Sequence, residues 1–274
     1  RILLPIPTSS KSHFYKMDKP RLPNPALFIC DLQEKFRSAI YEFPKIVDTT
    51  RKMVAACKIL NIPIYCTTQN AAKLGATVSE LTDILPADTK EVDKTAFSMM
   101  VPEITSRLSQ QAQAFSSAQY PGSSSSAYSP NHPSYPNQQA NSQPCQILLV
   151  GIESHICILQ TATDLLSLGH RVYVLTDGVS SCNAGERGIA LDRLRMEGCV
   201  VTTSESVLFE MLGDAKSEGF REVSKLVRDW KDQTKSAVEV LCGALYGRLE
   251  EGKDDKGRGQ REGKGEGPGS LSRL

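Results

Sequence analysis

The chain has 274 residues, 40% of them hydrophobic, which is enough for one large domain or at most two small ones. Its formal net charge of +1 gives no sign of a surface that binds nucleic acid or an anionic membrane. No apolar run approaches the roughly 18 residues that a membrane-spanning helix needs. Neither a nucleic acid nor a membrane is therefore expected as a partner.

The cysteines favour a reducing compartment. There are eight, several lie inside strand-like runs, and no Cys-x-x-Cys pair occurs, so buried thiols are favoured over disulfides or structural zinc. We therefore predict a cytoplasmic protein. Residues 1–21 carry five lysines and arginines against one acid, which is faintly like a mitochondrial presequence and keeps the mitochondrion as the alternative.

Strand-like and helix-like patterns alternate along the central part of the chain. Apolar, β-branched runs predict strands at 26–31, 62–67, 147–151, 172–176 and 199–202, with a weaker candidate at 90–93. Amphipathic segments between and after them predict helices at 46–60, 99–108, 154–168, 185–197 and 220–246. Such alternation is typical of a parallel sheet with helices on both faces.

Composition divides the rest of the chain. We predict a lead-in over residues 1–23, one domain over 24–235, and a charged, Gly-rich, disordered tail over 236–274. Within the domain, residues 110–144 are rich in Gln, Ser, Pro and Tyr and poor in aliphatic residues. Such a segment buries too little apolar surface to offset its ordering entropy, so we predict a disordered insertion there.

The stretch around Cys157 carries the strongest functional signal. An apolar run ends at Gly151, a polar turn follows, and a helical pattern begins with Cys157 in its first turn. A helix N-terminus stabilises a thiolate, and its free N–H groups can bind an oxyanion. Cys157 is therefore a candidate nucleophile, although an arbitrary cysteine at such a position more often packs against the sheet.

Two further motifs favour a catalytic role for Cys157 over simple packing. Asp31 ends the first strand-like run, and Lys94 follows the weak strand 90–93. With these motifs the chain resembles the isochorismatase-like cysteine hydrolases, and within them the branch of isochorismatase-domain-containing proteins. The matching motifs occur in the family's order: Asp31-Leu-Gln33, Lys94-Thr-Ala-Phe-Ser98, Gly151-Ile-Glu-Ser-His-Ile-Cys157 and Thr176-Asp-Gly-Val-Ser-Ser.

The resemblance implies a three-layer α/β/α domain with a six-stranded, mostly parallel sheet. It also implies that Asp31, Lys94 and Cys157 form a catalytic triad, and that the Ile152–Glu153 peptide is cis. The backbone N–H groups of Glu153 and Cys157 would then form the oxyanion hole. Family members commonly form dimers or tetramers, so a homo-oligomer is expected.

Other residues near the expected site have weaker assignments. Gln33, Phe36 and Gln69 follow strand ends near the expected pocket, and they either bind substrate or serve as ordinary loop packing. His155 lies two residues before Cys157, so the two side chains would point to different sides of a helix, and we interpret His155 as a rim or structural residue. Asp177 is interpreted as a structural cap.

We expect no metal and no cofactor. The related nicotinamidases carry an Asp-x-His metal site after the second strand, but residues 67–75 contain neither histidine nor acid. The favoured function is therefore a metal-independent cysteine hydrolase acting on a small amide or related substrate. Two alternatives stay open: an interaction protein that uses the retained fold and the insertion, and a redox-sensing thiol at Cys157 with a nearby resolving cysteine.

Overall fold

A computed structural model describes residues 21–119 and 143–243. Its six strands are β1 (Pro25–Cys30), β2 (Ile64–Gln69), β3 (Glu91–Lys94), β4 (Gln146–Ile152), β5 (Arg171–Ser180) and β6 (Val200–Thr202). The helices are α1 (Phe43–Ile59), α2 (Ala71–Leu74), α3 (Ser79–Thr82), α4 (Pro102–Gln119), α5 (Leu159–Ser167), α6 (Ala184–Met196), α7 (Ser204–Leu212), α8 (Phe220–Asp229) and α9 (Lys231–Leu241). A 3₁₀ turn covers Glu34–Phe36 and a π-helical turn covers Ser154–Ile158.

The strands form one parallel sheet in the order β3-β2-β1-β4-β5-β6. Alternate residues of β1 face opposite layers: Leu27 and Ile29 join the core beneath α1, α7, α8 and α9, whereas Phe28 joins the core beneath α4, α5 and α6. Both faces of the sheet are therefore covered, as is usual for parallel sheets. The predicted three-layer α/β/α class with six strands is confirmed.

Helix α4 is longer than the sequence pattern predicts. It continues to Gln119, so residues 110–119 are helical and do not belong to a disordered insertion. Ala112 is buried, and the Gln111 side chain accepts a hydrogen bond from the Tyr65 hydroxyl at 2.9 Å and donates one to the Asn24 side chain at 2.9 Å. These tertiary contacts fix a segment whose composition alone favours disorder. The remainder of the predicted insertion, 120–142, lies outside the described residues.

The C-terminal boundary also differs from the prediction. The expected helix 220–246 is two helices, α8 and α9, with Trp230 between them at φ −104° and ψ 13°. Helix α9 crosses the predicted domain end at residue 235, because Ala237 and Leu241 are buried against the core beneath α1. The predicted lead-in up to residue 20 and the tail beyond residue 243 lie outside the described residues.

Within residues 21–119 and 143–243, no helix combines the length and the hydropathy required to span a membrane.

Candidate active site

The site lies where the strand order reverses. From β1 the chain adds β2 and β3 on one side of the sheet, and then returns to add β4 on the other side. Loops at such a switch point diverge, which leaves a crevice at the carboxyl ends of the two central strands. Asp31 follows β1 and Cys157 follows β4, so the topology brings both residues to this crevice.

Asp31 and Lys94 form a buried ion pair. The Lys94 Nζ lies 2.7 Å from Asp31 Oδ2, and the two side chains are 0% and 2% exposed. The same ammonium donates to Gln69 Oε1 at 2.8 Å and to the carbonyl oxygens of Ala96 and Phe97 at 3.2 and 3.1 Å. Burial alone would lower the pKa of Lys94, but the neighbouring Cys30 and Asp31 outweigh it and raise the pKa above its usual value. Lys94 is therefore a fixed positive charge.

The Asp31 carboxylate is held on its other side as well. Thr67 Oγ1 donates to Asp31 Oδ1 at 2.8 Å, and the Asp31 N–H donates to the Thr67 carbonyl at 3.1 Å. The Asp31 backbone is left-handed, with φ 55°, so the chain turns sharply where β1 ends. The sequence pattern identified Asp31 but missed Thr67, whose position at the carboxyl edge of β2 was the available signal.

Cys157 lies beside this carboxylate. The Sγ atoms of Cys157 and Cys30 and an oxygen of Asp31 are all within 4.8 Å of one another. Cys157 is 8% exposed, whereas Cys30 is fully buried. Burial raises the pKa of the Cys30 thiol well above its usual range, and a hydrogen bond with Cys157 adds to that effect. The sequence carries no signal that marks Cys30 as a site residue, because its position within β1 is that of an ordinary core thiol.

The turn that carries Cys157 is wider than an α-helix. Ile158 N–H donates to the Glu153 carbonyl five residues earlier, at 3.1 Å, and α5 begins only at Leu159. Cys157 therefore lies in a helical turn at the predicted place, and that turn is π-helical. The expected cis peptide is present between Ile152 and Glu153. The roles of the Glu153 and Cys157 N–H groups in an oxyanion hole stay a prediction.

Backbone crowding explains the glycine before this turn. Gly151 has φ 116°, and a Cβ built on it would lie 2.1 Å from the Cys30 carbonyl oxygen. Gly151 pairs with Cys30 across the two central strands. Only glycine permits the close approach of β4 to β1 that places Cys157 beside Asp31.

The three candidate substrate-binding residues have different environments. Gln33 is buried, and its amide donates to the carbonyl oxygens of Gln69 and Gly75 and accepts from the Gln69 N–H. Gln69 uses its own side chain to hold Lys94 and to donate to the Thr95 carbonyl at 2.9 Å. These bonds favour structural roles for both glutamines. Phe36 is half-buried and packs against the core beneath α1.

His155 and Asp177 are held by neighbouring hydroxyl groups. His155 Nδ1 lies 2.9 Å from Ser181 Oγ, which agrees with a structural or rim position. The Asp177 carboxylate accepts from the backbone N–H of Ser204 at 2.8 Å and also from its hydroxyl. Ser204 begins α7, so Asp177 caps that helix as predicted, although it lies inside β5 and not at its end.

A separate concavity of about 510 Å³ lies around Ile64, the first residue of β2. It is therefore at the amino ends of the strands, whereas the candidate active site is at their carboxyl ends. Two basic side chains line it, Lys58 and Arg107. Both donate to backbone carbonyl oxygens, at 3.3 and 3.4 Å. This concavity does not contain the candidate catalytic residues.

Comparison with known proteins confirms the family resemblance that the sequence motifs carry. A family model described as "Isochorismatase domain" matches residues 25–117 and 131–206. The chain is 38% identical to "Secreted isochorismatase effector Isc1" of Phytophthora sojae over 74% of this chain and 84% of that protein. It is also 38% identical to "Isochorismatase domain-containing protein 2" of Xenopus laevis over 74% of this chain and 83% of that protein. Among solved structures, "MAR1 Ribonuclease" of Caenorhabditis elegans is 36% identical with a TM-score of 0.61, covering 75% of this chain and 90% of that one.

Proposed function

The chain belongs to the isochorismatase family of hydrolases, and on that premise we propose that it is a metal-independent cysteine hydrolase for a small amide or related carbonyl substrate. In this proposal Cys157 is the nucleophile, Asp31 is the general base and acid, and Lys94 holds Asp31 in place and favours the thiolate. One observation carries the proposal: the buried Asp31–Lys94 pair at 2.7 Å has the Cys157 thiol within 4.8 Å of its carboxylate.

The proposed reaction proceeds through a thioester. Asp31 takes the thiol proton from Cys157, and the sulfur attacks the carbonyl carbon of the substrate. The oxygen of the tetrahedral intermediate accepts hydrogen bonds from the N–H groups of Glu153 and Cys157. Asp31 returns the proton to the leaving amine as the C–N bond breaks. Asp31 then takes a proton from the water that attacks the thioester, and the acid product leaves as the Cys157 thiol is restored.

Lys94 supports both halves of this cycle. Its ammonium donates to Asp31 Oδ2 at 2.7 Å and so holds in place the carboxylate that accepts the thiol proton. Thr67 and Lys94 bond opposite oxygens of that carboxylate, at 2.8 and 2.7 Å, and so fix its direction. A non-catalytic scaffold would have little reason to bury an ion pair beside a thiol, because desolvation makes such pairs costly.

A carbonyl substrate is favoured over a nucleic acid. The C. elegans relative is named a ribonuclease, so RNA belongs in any substrate screen. This chain, however, has a net charge of only +1, and its Lys94 ammonium already bonds four oxygen atoms. Association with a polyanion depends on cationic side chains that can neutralise phosphates.

All eight cysteines are free thiols, which supports a reducing compartment such as the cytoplasm.

The test is a panel of small amides assayed by ammonia release, with an RNA oligonucleotide as the non-carbonyl arm. We expect turnover of at least one amide, a loss of about 10²–10⁴-fold in kcat for Asp31→Asn, and no activity for Cys157→Ala. Exhaustive EDTA dialysis should leave turnover unchanged. RNA cleavage that survives Cys157→Ala, or amide turnover that requires added metal, would refute the proposal.

A redox-sensing thiol is a second candidate, because Cys30 lies within 4.8 Å of Cys157. A peroxide would oxidise the Cys157 thiolate to a sulfenic acid, and the Cys30 sulfur would displace water to form a disulfide. Asp31 Oδ2, which accepts from Cys30 Sγ at 3.5 Å, is placed to take the Cys30 proton. Peroxide treatment should give a disulfide-linked Cys30–Cys157 peptide that dithiothreitol reverses. In Cys30→Ser the same treatment should yield sulfinic acid at Cys157, and its absence would exclude this role.

A further inference from the structure

We propose that Glu153, His155 and Cys182 form a binding site for a transition-metal ion, with Zn²⁺ as the best match, beside the triad and separate from it. One ligand atom from each of the three residues lies within 4.8 Å of the other two. Glu153 and His155 are half-buried and Cys182 is exposed, so an ion can reach the cluster from solvent.

Sheet register brings the three residues together. Ile152 of β4 pairs with Ser180 of β5 at the carboxyl edge of the sheet. Glu153 and His155 follow the first of these strands, and Cys182 follows the second. The cluster therefore joins two neighbouring loops of a rigid parallel sheet and does not depend on the segments outside the described residues.

The donor set fits zinc. A thiolate, an imidazole nitrogen and a carboxylate oxygen are the ligand types that Zn²⁺ takes, and three protein ligands leave a fourth position for water. Such a mixed set also suits Co²⁺, which is a spectroscopic substitute for Zn²⁺. Magnesium and calcium prefer oxygen ligands alone, so the sulfur and nitrogen donors select against them.

Neighbouring bonds already orient the ligands. His155 Nδ1 lies 2.9 Å from the hydroxyl of Ser181, a buried residue, and this contact fixes the plane of the ring. Glu153 Oε2 accepts the Cys182 backbone N–H at 2.9 Å, which holds the carboxylate next to the thiol. Outer contacts of this kind are a regular feature of protein metal sites, where they set ligand direction and ligand basicity.

A second cluster in the described part of the chain is a poorer site. Cys30, Asp31 and Cys157 also have ligand atoms within 4.8 Å of one another. The Asp31 carboxylate, however, already bonds the Lys94 ammonium at 2.7 Å, and that buried cation would repel a metal ion. Cys30 and Asp31 are almost completely buried, which also restricts entry.

Titration with Co²⁺ distinguishes the two clusters. The full chain is first stripped of metal and fully reduced. We expect one equivalent of Co²⁺ to give thiolate-to-cobalt charge-transfer absorption together with the intense visible bands of a four-coordinate ion. Cys182→Ser should lose the charge-transfer absorption. Because Cys182 is exposed, this variant should still melt at the wild-type temperature. The double variant Cys30→Ser/Cys157→Ser is the matched control and should keep the spectrum. Ser181→Ala should weaken binding by about 10-fold, because it removes only the contact that orients His155.

Zn²⁺ should displace the Co²⁺ and protect Cys182 from alkylation by iodoacetamide, as read by mass spectrometry. Absence of the charge-transfer absorption in the wild-type chain would overturn the proposal. Survival of this absorption in Cys182→Ser would also overturn the proposal. So would loss of the absorption in Cys30→Ser/Cys157→Ser, because the ion would then be bound by the cluster of Cys30, Asp31 and Cys157. None of these readouts depends on turnover, so the site and the proposed hydrolase activity fail or succeed independently.

Discussion

At the scale of single residues, burial separates two ion pairs of equal length. Lys94–Asp31 and Lys90–Glu103 both have an N···O distance of 2.7 Å, but the first pair is 0% and 2% exposed and the second is 68% and 39% exposed. Water screens the second pair, whereas the first has lost its hydration and depends on its partner.

Lys94→Ala should therefore destabilise the fold by about 3–5 kcal/mol, because it leaves the Asp31 carboxylate buried and unpaired. Lys90→Ala is the matched control and should cost about 0–1 kcal/mol. Urea denaturation at pH 7.5 measures both free energies of unfolding. Equal losses in the two variants would contradict a special role for burial.

The sign of the Lys94 shift also predicts a pH dependence. Its pKa is raised in the folded chain, so the pairing stabilises the fold fully at pH values below the ordinary lysine pKa of about 10.4. That contribution is lost only as the pH rises through the raised value. Any change of activity between pH 6 and 9 should therefore come from a group other than Lys94.

The thiols should differ in reactivity for the same physical reason. Burial raises the pKa of Cys66, Cys145 and Cys199 to about 12 each, so they stay protonated at neutral pH. A hydrogen bond between its thiol and the Glu153 side chain raises the pKa of the exposed Cys182.

Iodoacetamide at pH 6.5 should therefore alkylate Cys157 before the other cysteines, and Lys94→Ala should slow that reaction because it removes the nearby positive charge. Peptide mass spectrometry over a time course measures each rate. Faster alkylation of Cys182 than of Cys157 in the wild-type chain would contradict the assignment.

At the scale of elements, two glycines form a natural comparison. A Cβ at Gly151 would meet the Cys30 carbonyl at 2.1 Å, whereas a Cβ at Gly185 in α6 has no atom within 4 Å. Gly151→Ala should therefore separate β1 from β4 and lower the melting temperature sharply. Gly185→Ala should raise stability by about 0.5–1 kcal/mol through helix propensity. Calorimetry of both variants checks the opposite signs, and a tolerated Gly151→Ala would refute the crowding argument.

Helix α9 should be required for stability. Truncation after residue 235 removes the buried Leu241, whose carbonyl accepts from Arg187 Nη1 at 2.7 Å. The loss of this apolar burial and of the Arg187–Leu241 hydrogen bond should together cost at least about 3 kcal/mol. Truncation after residue 243 is the control and should change the free energy of unfolding much less. Similar unfolding midpoints for the two truncations would restore the domain end predicted from composition.

The elements show what a sequence can and cannot predict here. Asp31 and Cys157 were found because each follows a strand, and parallel strands place such residues at one edge of the sheet. The bond from Thr67 to Asp31 spans 36 residues and depends on the register of β1 against β2, which local patterns do not encode. The end of α4 was missed because its polar composition hides the spacing of Leu108 and Ala112, whose burial depends on tertiary packing.

At the scale of the whole molecule, the segment between α4 and β4 joins two ends that lie close together. The Gln143 N–H donates to Ser116 Oγ at 2.8 Å, so the chain returns to the helix that it left. The family model leaves only residues 118–130 unmatched here, which is narrower than the insertion predicted from composition. A short connection could therefore bridge the two ends without moving α4 or β4.

Replacement of residues 121–141 by a short Gly/Ser linker should leave the melting temperature equal or slightly higher, because loop-closure entropy changes by only about 0.6 kcal/mol per doubling of length. The alkylation rate of Cys157 should also be unchanged. Removal of residues 111–143 is the matched control and should be strongly destabilising, since it deletes Ala112 and the Gln111 side chain that binds Tyr65 and Asn24. If the shorter replacement kept its melting temperature but lost catalytic efficiency, the replaced segment, with Tyr128 and Tyr135, would instead contribute to turnover.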